Sequence, residues 1–227
     1  TNDIDIVSGA ARDSTDTAYM RLAAAITKRL DAPWAVGTGN GGLDTGSIAN
    51  TTYHVYLIRR PDTGVVDAIF STSASAPTLP TNYTQYRRIG SILRESAAIV
   101  AFTQDGDEFL RSVPVNGDIN NNNPGTSAVL SALSVPSGIS VVALMGGFYD
   151  PGGGGASLLF TSPSQADTSP GTATFDARAL SGSRVSLTGL MKRTNTSRQI
   201  RSRVNFSDAS TIVNVTTFGW IDTRGRI

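Results

Sequence analysis

An all-β fold is expected for this 227-residue chain, and three features of the sequence point to it. Gly, Ser, Thr and Asn are abundant while Lys, Glu and Leu are scarce, a usage that favours short strands and tight turns over long helices. Apolar residues recur at every second position in several short runs. Turn-forming dipeptides separate those runs at hairpin spacing. The expected architecture is an antiparallel β-sandwich or jelly-roll-like fold, as one sandwich or as two packed β modules.

The first segment, TAYMRLAAAITKRLD, fits two periods. Tyr19, Leu22, Ile26 and Leu30 suit a helix, and Met20, Leu22, Ala24 and Ile26 suit a strand, which is the preferred reading. YHVYLIRR at 53–60 puts Tyr53, Val55 and Leu57 on one face, PDTG at 61–64 supplies a turn, and VVDAIFST resumes, so a hairpin is predicted. IVAFTQ and DEFLRSV flank Asp105-Gly106, which suits a second hairpin with a two-residue turn. NGDINNNNPGT at 116–126 is polar and nearly free of apolar side chains, and reads as a linker or exposed loop. It divides the chain into an N-terminal β module at 1–115 and a C-terminal β module at 127–227. In the latter, SAVLSALSVPSG and ISVVALMGGFYD read as strands and PGGGGA as a flexible tip. Ile200, Ser202, Val204 and Phe206 alternate with Gln199, Arg201, Arg203 and Asn205, which predicts one buried and one wet face before the final strand TIVNVTTFGW.

Composition excludes more than it selects. With 19 basic and 18 acidic residues the net charge is +1, so no global field draws the chain to nucleic acid, and no apolar run suits membrane insertion. There is no Cys, which removes disulfides, thiolate catalysis and sulfur-ligated zinc. No export signal is visible at TNDIDIVSG, and a start at Thr1 rather than Met fits a processed or truncated piece with a longer N-terminal region missing.

Several motifs imitate chemistry. Gly37, Gly39 and Gly42 have the dinucleotide-binding spacing, but a strand rather than a helix follows, so no helix N-terminus would meet a pyrophosphate. Asp44-Thr45-Gly46 and Asp62-Thr63-Gly64 match the aspartic-protease loop, yet only one strand separates them and Pro61 marks the second as a turn. His54, the only histidine, lies within a strand, and no G-x-S-x-G marks a nucleophile for it. Asp105, Asp107 and Glu108 lack a calcium-loop register. Five N-x-S/T sequons, at Asn50, Asn82, Asn195, Asn205 and Asn214, are about what an Asn- and Thr-rich chain yields by chance. No catalytic, cofactor-binding or metal-ligating residue is therefore expected, and no cofactor. Lys192, Arg193, Arg198, Arg201 and Arg203 could meet oxyanions, or form a solvated strand face. Trp34, Tyr53, Tyr56, Tyr83, Tyr86 and Tyr149 could stack on sugars, although strand aromatics usually pack. From these groups Arg198, Arg201, Arg203 and Tyr149 are the expected ligand contacts.

KRLDAPWAVGTGNGGLDTG, PDTGVVDAIFSTS, RRIGSI and the C-terminal GWIDTRGR together resemble a family of tailed-bacteriophage tail fibre and related virion proteins. The resemblance spans roughly residues 2–109 and the last ten. It implies a β-rich attachment module on a virion appendage, and it carries over no catalytic or sugar-binding residues to this chain. The expected function is a non-enzymatic virion protein that binds a host surface glycan or protein, with other virion proteins as further partners. A purely structural decoration or baseplate protein is the alternative, and a glycan-degrading tailspike hydrolase a further one. Because YHVYLIRR and TIVNVTTF are apolar on parts of both faces, a homo-oligomer is expected, and a homotrimer would multiply weak contacts.

Overall fold

The structure, a computed structural model, describes residues 1–224. Gly225 and Arg226 of the GWIDTRGR match lie outside the described residues. The chain forms two compact units, residues 1–100 and residues 101 onward, and contains no helix among the described residues.

Unit 1 comprises β1 (Asp3–Ile6), β2 (Gly9–Arg12), β3 (Tyr19–Leu22), β4 (Ile26–Pro33), β5 (Gly41–Leu43), β6 (Thr52–Arg59), β7 (Val66–Ser71), β8 (Gln85–Glu95) and β9 (Ala98–Ile99). Seven of these make one sheet in the order β1-β4-β5-β7-β6-β8-β9. Short β5 runs parallel to both neighbours, β4 and β7, and the other pairs are antiparallel. The ambiguous segment 17–31 is extended, as preferred, but as two strands, β3 and β4: the chain breaks between Leu22 and Ile26, and Ala24, expected on the strand face with Met20 and Leu22, is exposed. The β6–β7 hairpin forms around residues 60–65, with Gly64 at φ +74 in the turn.

Nearly all of β6 is buried, so both its faces are covered within the unit. Tyr56 and Ile58 pack with Ile69 and Tyr83, joined by Trp34, Leu79 and Tyr86. The β2–β3 hairpin, with Met20 and Leu22 buried, lies against β6 and β7. Its turn is organised by Asp13, whose Oδ1 accepts the Thr17 and Ala18 N–H groups at 2.7 Å each and whose Oδ2 accepts the Thr15 hydroxyl at 2.6 Å. These bonds, led by the Thr15 hydroxyl, lower the Asp13 pKa to about 2. A carboxylate depressed in the folded state stabilises above its unfolded pKa and loses that contribution as pH falls. About 2 kcal/mol should vanish between pH 4 and pH 2, and Asp13→Asn should flatten the urea-midpoint profile of unit 1 over that window.

Unit 2 comprises β10 (Phe102–Asp105), β11 (Glu108–Asn122), β12 (Val129–Ala132), β13 (Val142–Asp150), β14 (Ala156–Thr161), β15 (Ala177–Ala179), β16 (Val185–Arg193), β17 (Gln199–Val204) and β18 (Ile212–Ile221). A five-stranded sheet, β10-β11-β18-β13-β16, packs on a four-stranded one, β12-β17-β14-β15, and all pairs are antiparallel. From β11 onward the chain changes sheet at every connection except β14–β15, which winds the sandwich in jelly-roll manner. Phe109 stacks on Trp220 at 5.4 Å between ring centroids, and Tyr149, Leu158, Phe160, Ile200, Val204, Val213 and Val215 fill the core. β17 alternates as expected, with Ile200, Ser202 and Val204 buried between half-buried Gln199, Arg201 and Arg203.

Two expectations are corrected. Residues 116–122 are not a linker but part of β11, which pairs with β18 from Ile119↔Val215 to Asn122↔Ile212. Asp118 ties the same stretch down, accepting from Ser134 N at 2.6 Å and from Thr217 Oγ1 at 2.6 Å. The unit boundary accordingly falls at residue 100 rather than at 115–126. The polarity that suggested disorder marks instead an exposed strand face whose backbone bonds come from a partner far along the chain. The second hairpin turn is also displaced by one residue: Asp105 pairs with Glu108, so the turn residues are Gly106 and Asp107, with Gly106 at φ +55.

Candidate functional site

The Gly-rich loop encloses a buried ion pair. Lys28 on β4 and Asp67 on β7 are both buried, with Lys28 Nζ 3.3 Å from Asp67 Oδ1. The ammonium donates to Ala35 O at 2.6 Å and Gly37 O at 3.2 Å, and lies 5.5 Å from the Trp34 ring centroid. Gly37 N donates back to Asp67 Oδ2 at 2.8 Å. Each glycine has a local reason. Gly37 and Gly39 sit at φ +97 and +75, while a Cβ on Gly42 would stand 2.7 Å from the Phe70 ring. Desolvation holds the Lys28 pKa below its ordinary value, opposed by Asp67. The three glycines thus wrap a cation of the chain itself.

The two Asp-Thr-Gly copies serve different local purposes. Asp44 braces its loop, accepting Thr45 N at 2.7 Å and Thr78 N at 3.0 Å. Asp62 forms a two-bond pair with Arg60, at 2.8 and 2.9 Å, beside the β6–β7 turn. His54 is buried with Nδ1 2.8 Å from Ser91 Oγ, to which Arg88 also donates at 3.1 Å. His54 and Ser91 are register partners on β6 and β8, so this contact staples two strands. Asp107 is ion-paired with Arg224.

The expected ligand contacts do not converge on a site. Tyr149 is fully buried, and burial together with Asp150 raises its pKa to about 12, so it cannot present its ring to a ligand. Arg201 donates to Gln165 O at 2.8 Å and Pro163 O at 3.3 Å; Arg203 pairs with Asp167 at 2.7 Å and donates to Thr126 O at 3.0 Å. These guanidinium groups hold loops of their own unit. Arg198 is exposed in the β16–β17 turn at φ +58, and Lys192 pairs with Asp176 at 2.8 Å. The aromatic residues of unit 1 are core components, as strand aromatics usually are: Tyr53, Tyr56 and Tyr83 are buried, and Trp34 and Tyr86 pack against them.

What does converge is a set of four connections in unit 2, following β11, β13, β15 and β17. Asp208 accepts Gly153 N at 2.7 Å and Ser210 N at 2.8 Å, and these bonds lower its pKa. Ser181 Oγ donates to Gly153 O at 2.7 Å, and Gly182 N to Gly152 O at 2.8 Å. Ser207 Oγ accepts from Gly125 N at 3.1 Å and donates to Asn123 Oδ1 at 2.9 Å. The glycine tip at 151–155 is therefore fastened rather than loose: a Cβ on Gly152 would reach 2.1 Å from Asp208 Oδ1. Against Gly154 lies the ring of Phe206, which is 37% exposed, and Leu180 projects into solvent close by in sequence to Ser181. Phe206 ended the alternating run in the sequence, and only its distance along the chain from Gly154 hid that its ring lies against the glycine tip.

No protein-family model, curated protein or solved structure matches this chain.

Proposed function

We propose that this chain is a non-enzymatic attachment module of a tailed-bacteriophage virion, binding a bacterial surface glycan or protein as a homo-oligomer, with three copies favoured. The observation that carries this reading is the fastened loop cluster of unit 2. Four connections cross-braced by Asp208, Ser207 and Ser181 hold Phe206 and Leu180 exposed in a fixed frame, the combination of rigid scaffold and loop-borne contact that recognition surfaces use. The resemblance to tail fibre proteins supports the same reading from another side, because its longer stretch ends close to the boundary of unit 1, while the separate match at the last ten residues belongs to unit 2. Unit 1 would then be the common mount and unit 2 the part that meets the host.

The test is binding of labelled protein to a panel of bacterial cells and to their extracted surface polysaccharides. Phe206→Ala should weaken binding ~10-fold through loss of one aromatic contact, with the thermal midpoint unchanged. A chain that is present in virions yet binds neither cells nor polysaccharides supports the purely structural alternative instead.

A further inference from the structure

We infer that the outer face of the five-stranded sheet in unit 2 is the surface on which a second copy of this chain docks. The inference rests on the homo-oligomeric part of the reading above and not on host binding. The water-facing side of an antiparallel sheet is normally polar. Here the outward row reads Thr103, Leu110, Gly219, Leu144, Met191 across β10, β11, β18, β13 and β16. Leu110 is 41% and Met191 55% exposed, and Phe218, 41% exposed, lies with its ring over Gly146, where a Cβ would meet it at 2.9 Å. The other sheet is different: its outward positions include Arg201 and Arg203, engaged with residues 161–167.

Size fits a partner of this kind. Four strands at ~4.8 Å spacing and nine residues at ~3.4 Å, with the four residues of β10 beside them, make a face of about 650 Å². A stable interface takes about 800 Å² from each partner.

Charge selects the partner. The adjacent outward row reads Asp105, Glu108, Ile221, Val142, Arg193, acidic at one edge and basic at the other. Glu108 and Arg193 stand three strands apart, about 14 Å, and neither forms an ion pair among the described residues. Such a face complements itself. When a copy is related by an axis along the strands, its acidic edge meets the basic edge of its neighbour, and this holds for a two-fold pair and for a three-fold ring. An axis across the strands would set acid against acid.

The test is mass photometry and sedimentation of the full chain at about 10 nM to 10 µM with Glu108→Arg, Arg193→Glu and the double variant. Each single swap should raise the self-dissociation constant at least 10-fold, and the double swap should restore association with the pairing reversed. Met191→Glu should abolish it, with the circular dichroism of a folded chain retained. A wild-type monomer throughout, or an oligomer indifferent to all four variants, would overturn the inference. If that monomer still labels bacterial cells, the attachment reading stands while this interface falls.

Discussion

Lys28→Ala should destabilise unit 1 by about 3–5 kcal/mol, because it leaves Asp67 as a buried charge without its counter-ion. The loss extends beyond the pair. Ala35 O and Gly37 O would lose their donor, and the loop they fix would lose its hold on β4. Lys28→Met combined with Asp67→Leu removes both charges and should recover only part of the loss, since Gly37 N then has no acceptor. Urea unfolding followed through Trp34, the tryptophan of unit 1, reads the effect directly. A cost under about 1 kcal/mol for Lys28→Ala would show that water reaches the pair in solution.

The second large effect is expected at Gly219. A Cβ there would stand 2.0 Å from Phe109 O and 3.0 Å from Leu110 Cα, both backbone atoms of the paired strand. No rotamer relieves such a clash, so β18 would have to move away from β11 beside the Phe109–Trp220 stack. Gly219→Ala should cost unit 2 about 4 kcal/mol or more. Gly171→Ala, where nothing lies within 4 Å, should stay within ~0.5 kcal/mol. The change is read through Trp220, in a Trp34→Phe background that silences the other indole. Equal stability of the two alanine variants would contradict the packing described at β18.

These two sites mark where the sequence is legible and where it is not. Local patterns carried through in part: the alternation at 199–204 has the buried face it announces, although its other face is half-covered and Phe206 beyond it is exposed, and PDTG turns the β6–β7 hairpin. Pairings between distant segments did not. The Asn-rich stretch 116–122 reads as a loop because its hydrogen-bond partner, β18, lies nearly a hundred residues away, and polarity alone cannot distinguish an exposed strand face from a linker. Arg201 and Arg203 look available for the same reason, their acceptors being on residues 161–167 and 126. The glycine loop held a signal that could have been used. In Ile26-Thr27-Lys28-Arg29-Leu30, Lys28 shares its face with Ile26 and Leu30, which places a cation on the apolar side of β4 and calls for a buried acceptor. Nothing local named Asp67 as that acceptor, and nothing local gathered the four connections around Phe206.

The pairing of β11 with β18 also sets a timetable. Residues 1–100 hold all the strands of unit 1, so this unit can close while the rest of the chain is still being synthesised. Unit 2 has no such freedom. In its larger sheet β18 is the strand between β11 and β13, and it is the last of the eighteen to emerge from the ribosome. Until residues 212–221 arrive, β11 can pair only with β10 and β13 only with β16, and the edge that each turns toward β18 stays bare, the state most exposed to pairing with another nascent chain. On a polysome translating many copies at once, β18 therefore decides whether a copy completes its own sheet or borrows a strand from the next.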